Sequence, residues 1–252
     1  MKNIRVVFAA FFGILLIAAG IAVIFIPGSD RETEKEKSSA EKVSEKAVSF
    51  SEKISASGYT EEDLKKLGCR QLIIVSGEGT EADVSVYKQE KDGKWSDQGL
   101  DTRGFIGKNG MSDDVTEGSQ KTPIGLFEVG DAFYIDDKPE TGLDSFRITE
   151  GTYWINDPDS AYYNKKMTGT DKKDWKSAED MFRIYPAYKY GFVIEYNTKK
   201  VIPGKGSAIF FHIDFGPTAG CVGVSEEMMV RYLGCLDKAE NPYILLQRYQ
   251  EG

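Results

Sequence analysis

Ala208-Ile-Phe-Phe-His212-Ile-Asp-Phe-Gly-Pro-Thr218-Ala-Gly220-Cys221-Val222 is the stretch on which both fold and chemistry turn. Apart from its histidine, Ala208–Ile213 is a short apolar and β-branched run bounded by turn residues, the pattern of a strand. Gly216-Pro217 breaks it, and Thr218–Val222 returns past it. His212 is the sole histidine of the chain, and Cys221 follows nine residues later. A strand, a turn and a return segment bring imidazole and thiol within hydrogen-bonding reach, where an ion pair lowers the thiol's pKa and supplies a thiolate at neutral pH. Gly220, without a Cβ, permits a strained turn and lets a substrate carbonyl approach backbone N–H groups as in an oxyanion hole. On residue types alone, a buried cysteine beside a satisfied core histidine competes with this reading.

Outward from this segment the same punctuation recurs. Gln71–Val75, Asp83–Gln89, Ile124–Val129, Phe192–Tyr196 and Tyr243–Gln247 are further short runs bounded by Gly, Asn, Asp or Pro, and Asp92-Gly93 between alternating segments predicts a hairpin. The fold class is therefore mainly β with a few short helices. One helix starts at Ser225, an N-cap followed by Glu226 and Glu227, with Met229, Tyr232, Leu233 and Leu236 on one stripe. A shorter helix is expected over Ser177–Phe182.

The amino-terminal quarter differs. Val6–Ile26 is about 21 residues without a charge, about 31 Å as a helix and long enough to span a bilayer. Lys2 and Arg5 precede it, so the positive-inside rule leaves the amino terminus cytoplasmic and the remainder outside. A cleaved signal peptide is the alternative, with Phe25-Ile26-Pro27 a poor cleavage site. Residues 28–67 are rich in Glu, Lys and Ser and read as a stalk, although Val43, Ala47, Phe50 and Ile54 fall at helical spacing. The expected organisation is an anchor over 1–27, a stalk over 28–67 and a folded domain over 68–252.

Of 32 basic and 40 acidic residues, 10 of each lie in the first 67, so the net charge of −8 belongs to the domain. An acidic domain argues against a nucleic-acid partner, since phosphate binding needs a clustered basic face. A single histidine excludes a multi-histidine zinc site. No Cys-x-x-Cys pair, acidic calcium loop or Gly-Lys-Ser/Thr motif is present, and no metal or other cofactor is expected.

Ala208–Val222, with an upstream His and Thr-x-Gly-Cys followed by an aliphatic residue, resembles the active-site segment of the L,D-transpeptidase (YkuD-type) catalytic domain. Thr122-Pro123-Ile124-Gly125-Leu126-Phe127 is similar to that family's Thr-Pro-x-Gly-x-Phe signature. Tyr153-Trp154-Ile155-Asn156-Asp157-Pro158 with Tyr162-Tyr163-Asn164 is similar to a stretch of a Gram-positive branch. The resemblance implies a β-sandwich, with Cys221 as nucleophile, His212 as general base and acid, the backbone at Gly220 and Cys221 as oxyanion stabiliser, and Thr218 steering the loop. It implies acyl transfer on peptidoglycan stem peptides through a cysteinyl thioester: D-alanine leaves a tetrapeptide and a 3→3 cross-link forms. Water as acceptor would make the enzyme a carboxypeptidase, and a non-catalytic wall-binding module is the reading outside catalysis. A sortase-like transpeptidase would need Thr-Leu-x-Thr-Cys, which Pro217–Cys221 does not match. Trp154, Tyr162 and Tyr163 are candidates to line the donor groove, against the ordinary reading of aromatics as core. Many members carry His and Arg or Asn where this chain has Ala219 and Gly223, so side-chain volume predicts a roomier pocket. Cys69 and Cys235 are either a disulfide tying the domain's start to its end in an oxidising compartment or two ordinary thiols.

Overall fold

Residues Gln71–Glu78 (β1) bury side chains on both faces. Ile73 and Val75 point into one apolar cluster and Leu72 and Ile74 into another, which explains why the run is apolar without alternation. The computed structural model describes residues 49–249. The remaining strands are β2 Glu81–Gln89, β3 Trp95–Asp97, β4 Thr102–Phe105, β5 Met111–Ser112, β6 Thr122–Pro123, β7 Gly125–Tyr134, β8 Ser145–Arg147 and β9 Thr152–Ile155. They continue with β10 Lys166–Thr168, β11 Ala178–Asp180, β12 Tyr190–Ile194, β13 Phe210–Ile213, β14 Val222–Val224 and β15 Pro242–Arg248. The α-helices are α1 Phe50–Ser55, α2 Glu61–Lys66 and α3 Glu226–Cys235. All six expected strands are present, as β1, β2, β7, β12, β13 and β15.

The main sheet runs β1-β15-β7-β12-β13-β14-β4-β2 and closes on itself, because β2 also pairs with β1. A closed, barrel-like sheet thus replaces the expected two-layer sandwich. The physical reason is that both outer edges of the β1–β2 hairpin find partners, β15 and β4, and no unpaired edge remains between them. The expected hairpin at Asp92-Gly93 joins β2 to β3, with Gly93 at φ +87° in the turn.

One face of the closed sheet holds Ile73, Val84, Phe192, Phe211, Val222 and Ile244, against which α3 packs Met229, Tyr232 and Leu233. Ser225 caps α3 by accepting from Met228 N–H at 3.3 Å, as its sequence predicts. The shorter helix expected over Ser177–Phe182 is not formed. Ala178–Asp180 is instead β11, pairing with β9 in a separate three-stranded sheet β10-β9-β11, and only Met181–Arg183 makes a 3₁₀ turn. Edge pairing to Tyr153–Ile155 outweighs a helix too short to stabilise itself.

The carboxyl-terminal end of the predicted stalk is not tether. Residues 50–66 supply α1 and α2, each with a capping box, Ser49 with Glu52 and Thr60 with Asp63. Ile54 and Leu64 are each 1% exposed and share a cluster with Leu72, Ile74, Tyr243 and Leu245 on the outer face of β1 and β15. With Phe50 and Tyr59 packed alongside, these few apolar residues in a charged background suffice because the sheet face they cover is already apolar. The predicted span Val6–Ile26 lies outside the described residues, and among the described residues no helix is long and apolar enough to cross a membrane.

Cys69 and Cys235 are free thiols rather than a disulfide. Cys69 donates to Gln71 O at 3.2 Å within the outer cluster, whereas Cys235 packs against the opposite, α3-covered face.

Because Ile54 and Leu64 are core rather than stalk, Ile54→Ala and Leu64→Ala should each cost about 2–4 kcal/mol of stability, read by urea unfolding. A change below about 0.5 kcal/mol, as for an exposed position, would mean that α1 and α2 do not pack on the domain.

Candidate active site

The segment returning after His212 is not the second arm of a hairpin. It loops back the length of the strand and β14 pairs parallel to β13, with Phe211 beside Val222 and His212 beside Gly223. Side chains therefore sort by face. Phe211, Ile213, Val222 and Val224 enter the cluster packed by α3, while Phe210 and Cys221 belong to the cluster on the opposite face. His212 lies on that second face, where its ring meets Tyr188 edge-to-face at 5.1 Å.

Cys221 is 7% exposed and its sulfur is held by two backbone groups. The thiol donates to Ala208 O at 3.2 Å and accepts from Phe210 N–H at 3.3 Å. His212, 4% exposed, contacts Ile213 O through Nδ1 at 2.8 Å. Only an N–H can bond a carbonyl, so Nδ1 carries the proton and Nε2 is left as the basic atom. Burial pulls the imidazole below its ordinary pKa, opposed by the Ile213 bond and by Asp214. Burial pushes the Cys221 thiol up, and the nearby Glu179 carboxylate pushes it further, against the Phe210 and Tyr188 hydrogen bonds. The resting pair is accordingly neutral thiol and neutral imidazole, not the ion pair expected from residue types. Desolvation of two charges exceeds their attraction in so enclosed a site.

The backbone around the nucleophile is locked by hydroxyls. Thr218 Oγ1 donates to Cys221 O at 2.6 Å and accepts from Gly220 N–H at 3.1 Å. Thr122, fully buried on β6, donates to the same Cys221 O at 3.4 Å while accepting from Gly107 N–H at 2.8 Å. Thr122-Pro123 and Thr218-x-Gly-Cys are thus two halves of one clamp on a single carbonyl. Gly220 sits at φ +141°, and a Cβ there would come 3.0 Å from Lys121 O. Its N–H is engaged by Thr218, so its part in the resting site is the close approach to Lys121 rather than an open oxyanion donor.

Of the proposed groove residues, Trp154 and Tyr163 are buried, 6% and 2% exposed, and neither lines an open groove. Trp154 stacks edge-to-face on Phe210 in the Cys221 cluster. Tyr163 donates to Glu117 at 2.5 Å, and the half-buried Tyr162 packs against Trp175. The residue of that stretch that reaches the site is Asn164, unassigned by sequence reasoning. Its Oδ1 accepts from Trp154 Nε1–H at 2.9 Å and from Ala208 N–H at 3.0 Å, and its Nδ2 donates to Tyr196 O and Asn197 O. Ala208, held this way at φ +54°, turns its carbonyl to the thiol. An alanine in the left-handed region costs energy and persists here because Asn164 fixes its N–H. A roomier pocket at Gly223 is not found either, for a Cβ there would lie 2.5 Å from Asp214 Cβ. Ala219 is exposed. Among the described residues no three His, Cys, Asp or Glu side chains gather as a possible metal site.

The model of the L,D-transpeptidase catalytic domain (YkuD) matches residues 95–244, more than half of the chain. This chain belongs to that family. The matched span takes in the Thr122 and Thr218 clamp, Asn164, His212 and Cys221. No curated protein matches the chain. Among solved structures, the helical cell shape determining protein Pgp2 from Campylobacter jejuni is similar at 16% identity and a TM-score of 0.41, over 72% of this chain. The chain spans about half, 49%, of that protein.

A buried neutral thiol has a spectroscopic consequence. The free L,D-transpeptidase domain should show no Cys221 thiolate absorbance at 240 nm on titration from pH 6 to pH 8.5, measured as the difference from Cys221→Ser. A thiolate step centred below pH 7 would mean that the ion pair exists after all.

Proposed function

We propose that this chain is a peptidoglycan L,D-transpeptidase that forms 3→3 cross-links between stem peptides. The observation carrying the reading is Cys221 immediately before β14, clamped through its carbonyl by Thr218 and Thr122, on the same face as a neutral His212 whose Nε2 is free of the proton. In the first half-reaction the thiol proton passes from Sγ to His212 Nε2. The sulfur then attacks the carbonyl preceding the terminal D-alanine of a tetrapeptide. The tetrahedral intermediate collapses as Nε2–H protonates the departing amine, leaving D-alanine and a Cys221 thioester. In the second, an amine of a neighbouring stem loses its proton to Nε2 and attacks the thioester, and the sulfur recovers the proton. One amide is broken and one is made, so no external energy source is needed.

Phe210 N–H, already directed at the sulfur, supports this reading because it stabilises the thiolate once the proton has left. Water in place of the amine turns the same thioester into a carboxypeptidase reaction. The chain is further proposed to be anchored by Val6–Ile26 with its catalytic domain outside the membrane, where the wall polymer lies.

Intact-mass spectrometry with a tetrapeptide donor should show an acyl adduct on Cys221 with release of D-alanine. Cys221→Ala should abolish the adduct, and His212→Ala should slow it by about 10²–10⁴-fold. Cross-linked dimer in excess over hydrolysed tripeptide favours transpeptidation. An adduct that survives Cys221→Ala would sink the mechanism.

A further inference from the structure

Tyr188 and Glu179 stand beside the nucleophile without a part in the acyl transfer as written. Tyr188, 3% exposed, sits in the 3₁₀ turn Ala187–Lys189 and packs against Phe210, His212 and Phe133. Its hydroxyl donates to Glu179 Oε2 at 2.5 Å, and the residue shares one buried cluster with Cys221, whose thiol pKa it lowers. Glu179 is the central residue of β11 and lies beside Trp154 of β9, on the face of the small sheet turned to the Cys221 cluster. A phenol has one proton to give; here a carboxylate takes it, and a sulfur lies in the same cluster.

We propose that Glu179 and Tyr188 form a hydrogen-bond relay to Cys221, in which the protonation state of Glu179 decides whether the Tyr188 proton is presented to the sulfur or to the carboxylate. With Glu179 protonated, its O–H donates to Tyr188 Oη and the phenol proton turns to Sγ, where it stabilises the thiolate. With Glu179 ionised, Tyr188 donates to the carboxylate, the sulfur loses that donor, and a negative charge stands nearby. In this relay Tyr188 is the member that acts on the reacting sulfur, and Glu179 is a positioning residue acting through it. No proton is consumed in the switch itself, only taken up from or released to solvent at Glu179.

The charged and titratable surroundings favour such a switch in the neutral range. Burial raises Glu179 to about 7, against the Tyr188 hydrogen bond and with added repulsion from Glu117. Glu117, in the loop before β6, is itself held by Tyr163 and Ser207. Cys221, just before β14, and His212 of β13 face the pair, and Asp214 acts on both of them and on Tyr188. On β10, two strands from Glu179 and on its face, Lys166 is stacked on Phe146. Tyr153 of β9 pairs with Asp180 and turns to Trp175 instead.

The proposal rests on the catalytic reading of Cys221, and its test separates the two. The full chain is treated with iodoacetamide, a neutral probe, and modification of Cys221 is followed by peptide mass spectrometry at pH 5.5 and pH 8.5. Glu179→Gln keeps a donor toward Tyr188 and removes the charge. It should react at the wild-type rate at pH 5.5, where Glu179 is already protonated, and about tenfold faster at pH 8.5, the equivalent of one pKa unit at the thiol. In the Tyr188→Phe background the gain at pH 8.5 should fall to about threefold or less, through-space charge alone. A Glu179→Gln effect equal at both pH values, or undiminished by Tyr188→Phe, overturns the relay. Should Tyr188→Phe not fold, the two-pH comparison of Glu179→Gln alone decides. Wild-type protein given tetrapeptide in parallel reports on the function: absence of a Cys221 acyl adduct counts against the transpeptidase reading and leaves the alkylation result standing.

Discussion

Everything at the site depends on one backbone constraint, the parallel pairing of β13 with β14 across an eight-residue connection, 214–221. Parallel neighbours ordinarily need a crossover of a dozen residues or more, because the chain must travel back the length of the strand before it can pair. Here the return is held from outside. Thr218 bridges to Gly107, donating its N–H to Ile106 O and accepting from Lys108 N–H, so the loop borrows the 106–108 segment as a rail. Gly220 passes close to Lys121 O, and the Thr218 and Thr122 hydroxyls converge on Cys221 O. An antiparallel return would have broken the register that sets Cys221 on the face of Phe210 and His212.

Burial then sets the electrostatics. A thiol and an imidazole enclosed among Phe133, Phe210, Trp154 and Tyr188 are both cheaper uncharged, and Glu179 and Asp214 make a thiolate dearer still. The Ala208 carbonyl and the Phe210 N–H both hold the sulfur, one suited to the thiol and the other to the thiolate. Proton transfer to His212 thus exchanges a partner that opposes charge for one that welcomes it. The strain stored at Ala208 and fixed by Asn164 is what keeps the first of these in place.

The features legible in the sequence are those whose cause is local. The strands from Gln71, Asp83 and Tyr243 declare themselves because apolar, β-branched runs end at turn residues, and α3 because Ser225 supplies a side-chain cap. His212 and Cys221 are singled out because the chain offers one imidazole and a thiol after Gly220. Sheet closure, the parallel direction of β14 and the docking of α1 and α2 depend on pairings between distant segments, which no local pattern encodes. Ile54 and Leu64 look like stray apolar residues in a charged stalk until the outer faces of β1 and β15 are seen to need covering. Asn164 and Ala208 escape for another reason: an asparagine after two tyrosines and an alanine before a strand acquire meaning only when 44 residues of chain bring them into one hydrogen bond. Gly223 misled in the opposite sense, since a small residue implies space only where no neighbour has taken it, and Asp214 has.

The central claim is that a neutral thiol, at the mouth of β14, and a neutral imidazole on β13 wait on one face, with the basic nitrogen at Nε2. Because His212 is the only histidine in the chain, ¹⁵N NMR of imidazole-labelled protein reads it without assignment. At pH 7 the account predicts one protonated nitrogen, Nδ1, and one unprotonated nitrogen, Nε2, with Cys221→Ser leaving the pattern unchanged. Two protonated nitrogens at pH 7, reverting to one on Cys221→Ser, would reveal a resting thiolate–imidazolium pair and contradict it.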